Sequence, residues 1–324
     1  MKLQFLIPQY KETDEIIKPL LDSIALQQNV DFNEIGVIIT NDGTDIHLSS
    51  ELLNSYPFKI EYYLDKHRGV SATRNACLDK ATAEYVMFCD ADDMFFNMCG
   101  VWIILNEAEQ SHFDCLVSVF VEETRWNGKA GYINRELDST FVHGKVMRRQ
   151  YLIDKNIRWN PELTIHEDSY FNTLCQKLSN NVRYCPTPFY LWKWRDESVC
   201  RSDLKYILKT YNNMLESSTA LVNELNKRGH YQEAQFYAVS LIYDAYYLMN
   251  KKEWLDQENK EYRHNTELRF KKYYEDFKVM FDNLPYGNKL QIAQGVRNRY
   301  FQEGLLVESI TFEAWIKHIE EMEG

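Results

Sequence analysis

"FCDADDMF", residues 88–95, sets three carboxylates within four positions at the end of the apolar run Tyr85-Val86-Met87-Phe88. A run apolar on both faces reads as a buried strand of a sheet that is covered on both sides. If the strand continues through Asp90, period-two geometry points Asp90 and Asp92 to the same side, with only Ala91 between them. Two carboxylates facing one space repel, so the stretch asks for a cation.

On either side of it the chain alternates strand and helix. Apolar runs at 2–8, 34–42, 58–64, 84–90 and 113–124 read as strands, and amphipathic stretches at 14–28, 69–81 and 99–111 read as helices. This alternation predicts an α/β fold, a Rossmann-like, mostly parallel sheet with helices on both faces. Ligands of such sheets gather at the carboxyl ends of the strands. Pro8-Gln9-Tyr10, Asn41-Asp42-Gly43 and Asp90-Ala91-Asp92 all fall at that end. From about residue 203 the texture changes: between Ser202 and Asn283 there is no proline and a single glycine, Gly229, while Leu215, Leu221, Val222 and Leu225 recur at helical spacing. The reading is a domain over 1–202 followed by a helical domain over 203–324, with helix breaks near Gly229, Asp256 and Pro285-Tyr286-Gly287.

Composition bounds the function. At 324 residues with 45% hydrophobic and 14% aromatic residues, 22 of them tyrosine, the chain is globular. A formal net charge of -11 argues against nonspecific DNA or RNA binding, which needs a basic field, but leaves room for one nucleotide in a local site. The seven cysteines are scattered and include no C-x-x-C pair, which suits a reducing cytosol better than a disulfide framework or a zinc site. The apolar run before Pro8 is too short for a signal-peptide core, and no stretch reaches the ~20 apolar residues of a membrane span. The expectation is a cytoplasmic protein without a transmembrane segment, with contact at the inner face of the membrane as the alternative.

Four further elements carry chemistry. In "ITNDGTD" (39–45) a strand runs into Asn-Asp-Gly, a turn signal whose Asp42 could accept hydrogen bonds from a base or ribose. In "KHRGVSATRNACLDKA" (66–81) Gly69 allows close backbone approach, and Arg68 and Arg74 flank a helix start that favours an anion. In "TIHEDSYF" (164–171) Glu167 and Asp168 lead a short helix, where the helix dipole alone would favour them. In "VHGKVMRR" His143 and Lys145 read either as neighbours of an acceptor or diphosphate or as a basic turn entering a helix. Arg195 and Ser198, after Trp192 and Trp194, could close over a diphosphate, since an arginine fork matches phosphate oxygens.

In order and spacing these elements resemble the family 2 glycosyltransferases of the GT-A fold, over about residues 1–200. The resemblance implies a nucleotide-sugar donor, taken as UDP-linked, a divalent metal, Mn²⁺ or Mg²⁺, and inversion at the anomeric carbon. It implies that Pro8 and Tyr10 line the nucleotide pocket, that Asp42 binds the base or ribose, and that Arg68 and Arg74 border the donor. It implies further that Asp92 coordinates the metal, that Asp90 shares the metal and holds the ribose or sugar side, and that Asp168 is the general base, with Glu167 orienting the acceptor or a neighbouring basic group. The acceptor would be a cell-surface glycan, a teichoic acid or a similar polymer. The helical domain would bind acceptor or form a small homo-oligomer. Lys11, Asn41 and Thr73 depart from the commonest residues of the family at their positions. Two other classes stay open: a nucleotidyltransferase, which would need a Gly-rich arginine loop where "PQYKETD" stands, and a non-catalytic carbohydrate-binding protein on the same fold.

Overall fold

The first apolar run, β1 (Leu3–Gln9), lies between β2 (Ile35–Asn41) and β4 (Tyr85–Phe88) and runs parallel to both, Leu3 facing Ile35 on one side and Tyr85 on the other. Leu3, Phe5, Leu6 and Ile7 are wholly buried, as strands of a covered parallel sheet require. β3 (Lys59–Leu64) extends the parallel set past β2. In this computed structural model the described residues are 1–136, 138, 140–195, 204–250, 260–302 and 310–323, with 204–209 and 302 described by backbone alone.

Helix α1 (Asp14–Ala25) buries Ile17, Leu20, Leu21 and Ile24, a one-face stripe at helical spacing, and Asp14 and Glu15 in its first turn suit the dipole. After a short α2 (Ser50–Leu53), α3 (Val70–Lys80) packs on β1 and β2. Beyond β4 the sheet becomes mixed. β6 (Cys115–Trp126) is antiparallel to β8 (Lys145–Arg148), which is itself antiparallel to β4. β9 (Val182–Trp192) runs parallel to β6, the two-residue β5 (Met94–Phe95) lies on β9, and β7 (Lys129–Arg135) forms a hairpin with β6. The sheet order is β3-β2-β1-β4-β8-β6-β9-β5, with β7 off this path. Helices α4 (Gly100–Ser111), α5 (Arg149–Asp154) and α6 (Glu167–Leu178) complete this part of the chain.

Two sequence readings change. The strand carrying the acidic cluster stops at Phe88, its last residue paired with β1, one past its last pairing with β8; Asp90 and Asp92 sit on a turn closed by the Asp93 N–H donating to the Asp90 carbonyl at 3.2 Å. Lys145 opens strand β8, and the helix begins only at Arg149, so its neighbourhood is not a turn leading straight into a helix.

The chain divides into two compact units, Met1–Val199 and Cys200–Gly324. The second is built of α7 (Leu204–Lys227), α8 (Tyr231–Met249), α9 (Lys260–Asn283), α10 (Tyr286–Gln302) and α11 (Phe312–Glu321). α8 packs against α7, α9 and α10, and buried Val222, Leu225, Ile242, Phe270 and Trp315 form the core. The break near Gly229 and that at Pro285 fall between helices, whereas Asp256 lies outside the described residues.

Candidate functional site

The carboxyl ends of β1, β2 and β4 surround a cavity of about 390 Å³, within the usual range for small-molecule sites. Pro8, Tyr10, Asp42, Arg74, Asp90 and Asp92 all line it, so residues spread over more than eighty positions meet at one place. Glu12 and His67, not singled out from the sequence, line it too.

Arginines balance the acidic cluster. Arg74, only 4% exposed, donates through Nη2 to Asp90 and through Nη1 to Glu167, both at 2.9 Å, and its guanidinium lies over the Trp159 ring at 4.5 Å. Burial disfavours this charge, but Asp90 and then Glu167 outweigh burial and hold the guanidinium's pKa above its ordinary value. Burial likewise works against ionised Asp90, and Arg74, followed by His143, more than offsets it, so the Asp90 carboxyl titrates below its usual range. Arg195 donates to Asp92 at 3.0 Å and reaches Glu12 at 3.5 Å. The repulsion implied by the opening stretch is thus relieved by two guanidinium groups, one per carboxylate.

Asp42 is engaged by the chain itself. Its carboxylate accepts the Arg68 N–H at 2.8 Å and the Gly69 N–H at 3.0 Å, and the His67 Nδ1 stands 2.9 Å away. Gly43 makes this fit possible: its φ of 71° is left-handed, and a Cβ there would stand 2.2 Å from the His67 nitrogen. The His67 ring in turn stacks on Tyr10 at 4.9 Å. Arg68 turns its guanidinium to Asp65 and is not among the residues lining the cavity.

Helix α6 delivers Glu167 and Asp168 after His166, whose φ of 63° sets the turn into the helix. Burial, and then the Glu167 charge, push the Asp168 carboxyl up to about 7, partly opposed by Arg74. Lys145 is buried and donates to the Phe141 carbonyl; burial lowers its pKa to about 8, against the pull of Asp138 and Asp168. Ser198 lies outside the described residues. Asp93, the third carboxylate of the opening stretch, is buried beside His143, and burial raises its pKa to about 6 despite that neighbour. One group among the described residues brings three ligand atoms within 4.8 Å of one another: Asp90, Asp93 and His143. Asp92 is not part of it.

Residues 5–124 match the family model described as "Glycosyl transferase family 2". A beta-1,3-glucosyltransferase acting on GalNAc(5)-diNAcBac-PP-undecaprenol in Campylobacter jejuni is 22% identical over 268 residues, 75% of this chain and 82% of that one. A teichoic acid poly(glycerol phosphate) polymerase of Staphylococcus epidermidis is 29% identical over 204 residues, 57% of this chain but only 28% of the polymerase. TarS, a poly(ribitol-phosphate) beta-N-acetylglucosaminyltransferase of Staphylococcus aureus, is 24% identical over 213 residues, 61% of this chain and 36% of TarS. The crystal structure of TarS residues 1–349 with UDP has the same fold, with a TM-score of 0.62 at 16% identity over 94% of this chain and 92% of that one.

Proposed function

Since this chain is a glycosyltransferase of family 2, we propose that it transfers a sugar from a UDP-sugar, with inversion, to a hydroxyl of a teichoic acid or similar surface polymer. The observation that carries this reading is the cavity itself, lined by the acidic turn Asp90-Ala91-Asp92 and by Arg74; Asp168 is not among its lining residues, and burial pushes its carboxyl up to about 7. The UDP complex of TarS supports the donor assignment, and the polymer-directed names of TarS and the glycerol phosphate polymerase support the acceptor class.

On this reading Pro8 and Tyr10 flank the base, and Asp42 acts on the nucleotide by holding the 67–69 loop and the His67 ring against Tyr10. Transfer breaks the bond between the anomeric carbon and the diphosphate oxygen through an oxocarbenium-like state, while negative charge grows on the leaving phosphate. A divalent cation, when bound, neutralises that charge. The acidic floor fits such a cation, and Asp90, which lines the cavity, would hold it. The acceptor hydroxyl attacks from the opposite face, and Asp168 takes its proton. Arg195 bridges Glu12 and Asp92 at the cavity wall, where its fork can exchange a carboxylate for a phosphate. The helical unit from Cys200 onward would present the acceptor or join a second copy. A monomer by light scattering whose 1–199 fragment folds and transfers at the full rate would refute both roles.

Calorimetry tests the donor. UDP should bind, and bind more tightly with Mn²⁺ present, whereas GDP should bind at least ~10-fold more weakly, a difference of about 1.4 kcal/mol. Equal or tighter binding of GDP sinks the UDP assignment.

A further inference from the structure

His67 lines the cavity beside Tyr10 and Asp42. Its side chain is 59% exposed, whereas that of Asp42 is 6% exposed. The Asp42 carboxylate is also taken up by the chain: Oδ1 accepts the Arg68 N–H, and Oδ2 accepts the Gly69 N–H and faces the His67 Nδ1. The imidazole therefore offers a ligand more open surface than the carboxylate does.

Its tautomer follows from its neighbours. Nδ1 stands 3.2 Å from the Asp42 backbone carbonyl and 2.9 Å from Asp42 Oδ2, and both are acceptors, so Nδ1 carries the hydrogen. In a neutral imidazole the second nitrogen then bears a lone pair. Among the described residues only Nδ1 of this ring is hydrogen-bonded. A carboxylate anchored by two backbone N–H groups thus turns Nε2 into an acceptor with nothing on it.

The ring is also fixed in a layer. His67 and Tyr10 stack with centroids 4.9 Å apart and planes inclined by 22°. Ring faces touch at ~3.5 Å, so the imidazole is displaced sideways and leaves part of the Tyr10 face uncovered. Tyr10 itself is 41% exposed. A planar base stacked on the rest of that face lies beside the imidazole in nearly the same plane, the plane that contains the Nε2 lone pair. An acceptor there matches the N3–H of uracil, the one donor on the pairing edge of that base. Cytosine presents a bare nitrogen at the same position.

We propose that His67 reads the donor's base, its Nε2 accepting the N3–H of a uracil, and that Asp42 acts on the base only through His67. The proposal rests on the reading of the cavity as a UDP-sugar site. It makes His67 a specificity-determining residue and Asp42 a positioning residue, which sets the tautomer of the imidazole and its place on Tyr10.

The test compares UDP with its 3-methyluridine analogue, which keeps the pyrimidine, ribose and diphosphate but has no N3–H. Calorimetry on the full chain should show UDP binding at least ~10-fold more tightly than the analogue. In His67→Asn an amide N–H replaces Nδ1–H toward Asp42 while nothing replaces Nε2, so the preference should fall below ~3-fold. His67→Phe keeps a ring on Tyr10 and should lose the preference in the same way. Long-range ¹⁵N–¹H spectra of the imidazoles in the unaltered chain give a readout that a purely structural histidine would not move. His67 should be the Nδ1–H tautomer, and its Nε2 signal should shift with UDP but not with the analogue; this decides alone if neither variant folds. Equal binding of UDP and the analogue, a hydrogen on Nε2 in the free protein, or a preference that survives in His67→Asn overturns the proposal and leaves the donor reading standing. Failure of UDP to bind at all overturns both.

Discussion

Asp168→Asn is expected to bind UDP as the unaltered chain does and to transfer sugar ~10²-fold more slowly or worse, because the amide keeps the size and hydrogen bonding of the carboxylate but cannot take a proton. The choice of Asp168 over its neighbour is geometric. Successive side chains on a helix diverge by ~100°, and Glu167 is already turned to Arg74 at 2.9 Å. Glu167 is thereby held by a guanidinium, whereas burial and the Glu167 charge push Asp168 up to about 7. Transfer should therefore rise with pH along an acid limb whose midpoint lies near that value. Single-turnover rates and calorimetry on Asp168→Asn and Glu167→Gln decide the matter. Near-normal transfer by the first together with an inert second would reverse the two roles.

The same shift has a sign for stability. A carboxyl whose pKa is raised on folding contributes stability that is fully present below its unfolded value, ~3.9, and is lost as pH rises through the folded value. For Asp168 that window runs from about 4 to about 7, so ionisation of this group opposes folding at the pH where the base is competent. Asp168→Asn should melt higher than the unaltered chain at pH 8, with the gap closing toward pH 4. An unchanged gap across that range would show that Asp168 is not strained by its surroundings.

The parallel strands were legible because each is an unbroken apolar run, and the meeting of Pro8, Asp42 and Asp90 at one cavity was legible because they stand at the ends of such runs. What escaped the sequence depends on partners far along the chain. Arg195 meets Asp92 across 103 positions, and Trp159 slides beneath Arg74 although nothing local to either predicts it. Strand β8 is four residues long and ends at Arg148, so its basic character concealed its pairing with β4. Period-two pleating through the opening stretch predicts two facing carboxylates, Asp90 and Asp92. Once the strand ended early, the turn directed Asp93 inward to His143, a contact visible only in three dimensions. The clearest missed signal was the doubled aspartate itself, since a second charge at the start of an apolar Met94-Phe95 pair is costly unless something awaits it.

The largest loss of stability in the first unit, Met1–Val199, is expected at Arg74. Its guanidinium is 4% exposed and is shared by Asp90 and Glu167, whose side chains are 32% and 13% exposed. Arg74→Ala would leave both carboxylates without their cation and Trp159 without its covering plane, and breaking a buried pair in this way costs about 3–5 kcal/mol. For a unit of this size, about 2–4 °C of melting temperature is lost per kcal/mol, so a drop on the order of 10 °C is expected. Arg74→Lys should recover only part of it, because one ammonium cannot fork to two carboxylates or lie flat on the indole. A second consequence is electrostatic. Arg74 is the main influence that lowers the Asp168 pKa, so its loss should move the acid limb of transfer to higher pH, even in Arg74→Lys if the ammonium settles on Asp90 alone. The pair Arg74→Met with Glu167→Gln separates the causes: if the stranded Glu167 charge drives the destabilisation, the double variant will melt above Arg74→Met alone. A double variant that melts lower, or an Arg74→Ala chain within ~1 °C of the unaltered one, would mean that solvent already carries these charges and that the guanidinium bridge contributes little to holding the site together.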